Sequence, residues 1–147
     1  MKLVRFGSAG QEQPGVIDSD GAVRGLSGVV EDLTPDTLGI EQLQELKDID
    51  PQSLPLVPAG TRMGPCVARP GKLVCIGLNY HDHAVETGLT PPSEPVVFMK
   101  AVSAIGGPHD DITLLRGSSK SDWEVELGVV IGTVSYTHLT LPTICSV

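Results

Sequence analysis

The chain has 147 residues, 40% of them hydrophobic and 19% charged, with a formal net charge of −8. That length holds one ordinary domain or two small ones with a core, and the balance excludes an intrinsically disordered chain. The negative sum argues against nucleic acid or an anionic membrane as partner, and no apolar run approaches the about 18 residues of a membrane-crossing helix.

Aromatic residues are scarce (Trp123, two Tyr and two Phe), so Val, Leu and Ile must fill the core. The start, "MKLVRFGSAG", has no apolar leader region and no cleavage signal. Cys66, Cys75 and Cys145 form neither a CxxC pair nor a disulfide framework, which predicts reduced thiols and a cytoplasmic protein. Cys75, within "KLVCIGL", is expected in the core.

In chain order, "MKLVRF" predicts a strand and "GSAGQEQPG" a turn-rich loop. "VIDSDGAVRGL" predicts a hairpin, because an Asp-Gly pair stands between two short apolar runs. Leu38, Leu43 and Leu46 recur at near-helical spacing in "TPDTLGIEQLQELKDID", with Gly39 blurring the helix start. The Pro- and Gly-rich "PQSLPLVPAGTRMGP" is the best linker candidate.

"GKLVCIGLNY" predicts a strand buried on both faces. "NYHDHAVETG" predicts a short helix capped by Asn79 and stopped by Gly88. "VVFMK" predicts another strand, "IGGPHDD" a turn, "ITLLRG" a strand, "SSKSD" a loop and "WEVELGVVIG" a last strand. The expected class is therefore α+β and β-rich. Residues 1–58 read as a small leading domain, 59–71 as a linker, and 72–132 as part of a second domain. The tail "TVSYTHLTLPTICSV", residues 133–147, has no charged residue and reads as a translated sequencing adapter, so it is set aside from fold and function.

Two pairs carry candidate chemistry. On a strand, Glu124 and Glu126 would share one face, with Cα atoms about 6.5–7 Å apart. Their oxygens could converge on a hard cation, which would relieve the repulsion of two inward-facing like charges; a solvated face is the alternative reading. On a helix, His83 and Glu86 (i, i+3) share a face, and a carboxylate beside an imidazole makes an oriented general base for water. A surface His-Glu pair is the alternative there, while His81 and His83 diverge. Lys100 could meet a substrate carboxylate. "RGSSKSD" lacks phosphate-loop spacing. Asp110 and Asp111 sit in a turn, where Asp is common.

In order and spacing, "GKLVCIGLNYHDHAVETG", "PSEPVVFMKAVSAIGGP" and "RGSSKSDWEVELGVVIG" resemble the fumarylacetoacetate hydrolase family. "MKLVRFGSAGQEQPGVIDSDG" resembles the leading domain of a bacterial branch named for 2,4-diketo-3-deoxy sugar-acid hydrolases and ureidoglycolate lyases. The resemblance implies a mixed β-roll or sandwich, of which this chain would carry only the first part, in a homodimer. It implies Mg²⁺ or Mn²⁺ held by Glu124, Glu126 and an acid on a later strand, with His83 and Glu86 activating water. The implied reaction cleaves a C–C bond of a 2,4-diketo acid to pyruvate and a carboxylic acid, a hydrolysis acting on carbon–carbon bonds in ketonic substances. The alternatives are a lyase, isomerase or decarboxylase of the same family, or a non-enzymatic acidic module. The expected partner is a small keto acid, with neither nucleic acid nor membrane.

Overall fold

The computed structural model describes residues 1–132. The adapter reading of residues 133–147, with Cys145, lies outside them. The fold is α+β and β-rich: strands β1 (Lys2–Phe6), β2 (Gln13–Ile17) and β3 (Val23–Gly25), helix α1 (Ile40–Lys47), strand β4 (Leu73–Gly77), helix α2 (His81–Glu86) and strand β5 (Val96–Lys100). Among the described residues, no helix is long and apolar enough to cross a membrane. The chain divides into two units, one of residues 1–68 with the segment from Gly107 onward, the other of residues 69–106.

In the first unit, β1-β2-β3 form an antiparallel sheet with Leu3 opposite Val16 and Ile17 opposite Val23. The Asp-Gly signal works as expected. Gly21 takes φ +84°, and the Asp18 carboxylate accepts from the backbone N–H of Asp20 (3.0 Å) and Ala22 (2.9 Å). Arg24, on the returning strand, donates to Asp18 at 2.8 Å, so one carboxylate closes the turn and ties its exit. The predicted helix is shorter than its apolar spacing suggested. Thr34 and Thr37 form a capping box around a single 3₁₀ turn, Pro35–Thr37, and the α-helix starts after Gly39, leaving Leu38 outside. Leu46 is the helix's buried residue and joins Val16 and Leu26 in the core, with Leu3, Val30, Ile49 and Leu54 packed around them.

The Pro-rich stretch is fastened to this sheet. Pro51–Ser53 form a 3₁₀ turn capped by Asp50. Leu56 bridges Arg24, and Met63 bridges Phe6. The Gly25 N–H donates to Pro55 O at 2.8 Å, and the Gly64 N–H to Arg5 O at 2.8 Å. Backbone pairing, which composition does not encode, holds residues whose Pro and Gly content reads as a linker.

In the second unit, β4 and β5 pair antiparallel, from Leu73 opposite Lys100 to Gly77 opposite Val96. Both strands fall where the apolar runs predict, but the expected two-sided burial is absent. Val74 and Met99 are directly opposed, as are Ile76 and Val97, and all four are exposed. Cys75 is half-buried instead of in a core. A two-stranded ribbon offers no second layer to cover either face.

The strands expected at "ITLLRG" and "WEVELGVVIG" do not form; residues 111–132 contain no strand. Ile112, Leu115, Trp123, Val125 and Leu127 are each at least 75% exposed. A strand exists only through a ladder with a neighbour, and an apolar run without one stays in water with its N–H groups solvated.

Candidate metal and catalytic site

Helix α2 is set by its two ends. β4 runs into Leu78, a non-glycine residue with φ 51°, in the left-handed region that side chains rarely adopt. Tyr80, not Asn79, occupies the N-cap, and its side chain makes no capping bond. The helix stops as Gly88 predicts. Gly88, at φ +71°, donates to Val85 O at 3.0 Å, and Leu89 N–H donates to Ala84 O at 2.8 Å. Those two bonds make a Schellman motif that satisfies carbonyls the last turn would otherwise leave unpaired.

His83 and Glu86 therefore lie three apart on a real helix, as the spacing required. His83 is half-buried and Glu86 exposed, while Ala84 on the inner side is fully covered. His81 is exposed, with its Nδ1 3.9 Å from the carboxylate of its neighbour Asp82. Lys100 ends β5, exposed, with its Nζ 5.9 Å from the centre of the Phe98 ring.

Glu124 and Glu126 are exposed and lie on an irregular segment, so the shared strand face expected of them is not formed. Among the described residues, no group of three or more His, Cys, Asp or Glu is placed to hold a metal ion. The donor chemistry fits Mg²⁺ or Mn²⁺, since carboxylate oxygens suit hard cations. The donor number falls short of a closed cage, because one E-x-E supplies two carboxylates. The His83–Glu86 pair belongs to the second unit and the two glutamates to the first.

Spacing also missed a charged chain in the first unit: Asp32, Arg5, Glu12, Arg62 and Asp110. Arg5 donates to Asp32 at 2.7 and 3.0 Å and stands 3.7 Å from Glu12. Arg62 donates to Glu12 at 2.9 Å and, through Nε, to Asp110 at 2.7 Å. The Arg62 guanidinium holds the Glu12 and Asp110 carboxyls below their ordinary range, helped at Asp110 by the Gly107 N–H. Glu12 lies 50 residues from Arg62, and Asp110 lies 48 from it, so no local pattern could have revealed the cluster. The turn role expected of Asp110 is nonetheless present, since it accepts from Gly107 N–H at 2.8 Å.

Residues 72–140 match the family model described as fumarylacetoacetate (FAA) hydrolase C-terminal. The chain is 56% identical over 133 residues to a provisionally named hydrolase of Burkholderia ambifaria, covering 90% of this chain and 47% of that protein. It is 55% identical over 132 residues to a provisionally named hydrolase of Burkholderia multivorans, with the same coverage of 90% and 47%. It thus spans less than half the length of these relatives. A crystal structure of a provisionally named HpcE protein from Mycobacterium smegmatis superposes with a TM-score of 0.54 at 28% identity, covering 80% of this chain and 42% of that one. The stretch similar to the fumarylacetoacetate hydrolase family, residues 72–140, contains His83, Glu86, Lys100, Glu124 and Glu126 together.

Proposed function

We propose that this chain is the leading part of a metal-dependent hydrolase that cleaves a 2,4-diketo acid to pyruvate and a carboxylic acid. One observation carries the reading: both candidate pairs, in order, lie inside the stretch that matches the hydrolase family, and the relatives matched over most of this chain are named as hydrolases. The exposed apolar side chains of β4, β5 and the irregular residues 112–131 support it, because they are apolar surface of the kind that a longer polypeptide would cover.

Glu124 and Glu126 would hold Mg²⁺ or Mn²⁺ together with an acid supplied from beyond the described residues. When bound, the cation would supply Lewis-acid polarisation of a keto oxygen and carboxylate. His83 would take a proton from water, with Glu86 orienting the imidazole and supporting the charge it gains. The water oxygen would attack the C4 carbonyl, the C3–C4 bond would break, and C3 would take up a proton, leaving pyruvate and the acid. Lys100 is the candidate for meeting the substrate carboxylate. The assembled protein is proposed to be a homodimer.

The test is pyruvate release from acylpyruvates by a polypeptide extended to the relatives' length, with and without chelator. Loss of turnover in chelator and in Glu126→Gln, with restoration by Mg²⁺ in the wild type only, is the expected result. Turnover indifferent to both would remove the metal from the account. A panel that includes a 2-oxo diacid and ureidoglycolate separates hydrolysis from decarboxylation and lyase chemistry.

A further inference from the structure

From the joint between β4 and α2, we infer that Leu78 is a positioning residue that works through its backbone: its left-handed turn aims the helix, and with it the His83 imidazole. This deepens the hydrolase reading and rests on it. Among the described residues, every position of positive φ is a glycine except Arg69 and Leu78. On conformational grounds leucine is a poor choice, since its Cβ disfavours this region about 5- to 30-fold in population. At other left-handed positions, such as Gly21 and Gly88, the chain uses glycine. A bulky outlier persists only where its surroundings hold it, and such outliers gather at functional sites.

The joint is short. Gly77, the last residue of β4, is paired with Val96, and Tyr80 is the N-cap of α2, so Leu78 and Asn79 alone connect a paired strand to the helix. With so few dihedrals between them, the φ of Leu78 sets the direction in which α2 leaves the strand. The far end imposes no such direction, because residues 89–95 form a longer connection before β5. Ala84 is fully covered, and swinging α2 about Leu78 would uncover it, so its burial opposes relaxation of the joint. His83 precedes Ala84 on the same six-residue helix and moves with Glu86 as one piece. A glycine would reach the same φ but would leave many others open; the leucine Cβ confines the joint to the small left-handed well.

The test compares Leu78→Asn, Leu78→Val and Leu78→Gly. Asn is polar yet tolerates the left-handed region, whereas Val stays apolar and is excluded from it, so a backbone role and a packing role predict opposite rankings. In the 147-residue chain, amide residual dipolar couplings measured by NMR give the angle of His81–Glu86 to Leu73–Gly77. In the polypeptide extended to the relatives' length, pyruvate release from acylpyruvates gives kcat and KM. Leu78→Asn is expected to keep both the angle and kcat near wild type. Leu78→Val should change the angle and lower kcat about 10- to 100-fold at unchanged KM, the mark of a misplaced reacting group. Leu78→Gly should give smaller, averaged couplings and a kcat between the two. Far-UV circular dichroism checks folding; if Leu78→Val fails to fold, kcat in Asn above that in Gly sustains the inference and the reverse order overturns it. Turnover that follows apolarity, with Val at the wild-type level and Asn depressed, would overturn it, as would equal turnover in all three. If the extended wild type releases no pyruvate, the hydrolase reading fails and the positioning role falls with it, while the couplings still decide whether Leu78 aims α2.

Discussion

Gly88→Ala tests whether the helix that carries His83 and Glu86 depends on its C-terminal turn. A Cβ at position 88 would meet nothing within 4 Å, so the substitution introduces no clash. Its whole cost comes from φ +71°, a conformation that disfavours an L side chain by about 1–2 kcal/mol. That energy is a factor of about 5–30 in an equilibrium constant. Helix α2 has only 6 residues, far below the about 12–15 at which an isolated helix becomes even marginal, so it has little reserve against such a loss. Amide exchange measured by NMR should accelerate by about that factor at Thr87 and Leu89, whose N–H groups close the last turn on His83 O and Ala84 O. Gly88→Asn should accelerate less, since Asn tolerates the left-handed region. Equal exchange in wild type and Gly88→Ala would refute the capping account, and with it the claim that Gly88 sets the end of the helix that carries His83 and Glu86.

Leu26, 2% exposed in the leading core, should cost about 2–5 kcal/mol when changed to Ala, read as a lowered urea midpoint at unchanged slope. The core already adjoins an open cleft of about 210 Å³ lined by Leu26, Val16 and Leu46, so the neighbours have no tight wall to collapse onto. Acid should weaken the first unit for a different reason. Glu12 and Asp110 are held below their ordinary range by Arg62, and Asp18 by Arg24 and the turn N–H groups. A carboxyl depressed on folding contributes stability that is complete above its unfolded pKa and is lost as pH falls through the folded one. The urea midpoint should therefore respond to these groups only below about pH 4, and should fall there. Asp18→Asn together with Asp110→Asn should flatten that decline; an undiminished decline in the double variant would contradict the assignment.

What the sequence made legible was local. β1, the Asp18–Ala22 turn and the Gly88 stop follow from side-chain alternation and from residues that tolerate positive φ, and all three stand where expected. The α+β class followed from the same signals. Leu38 misled because a capping box at Thr34 and Thr37 opens a separate 3₁₀ turn, and Leu38 is its C-cap before α1 begins. The attachments of the Pro-rich stretch to Phe6, Arg24 and Gly25 were not legible, because they are made by backbone. The strand expected at Trp123–Gly132 does not form, because a strand is a property of two segments and no described neighbour pairs with this one. For the site, spacing placed His83 and Glu86 on one helix but could not find Arg62, whose carboxylate partners come from remote parts of the chain.

The most direct measurement is a crystal structure of the polypeptide extended to the relatives' length and soaked in Mn²⁺, with data collected at the manganese edge. Anomalous density bridging the carboxylates of Glu124 and Glu126 is the predicted result. Both side chains directed into bulk solvent, with no manganese between them, would contradict the account.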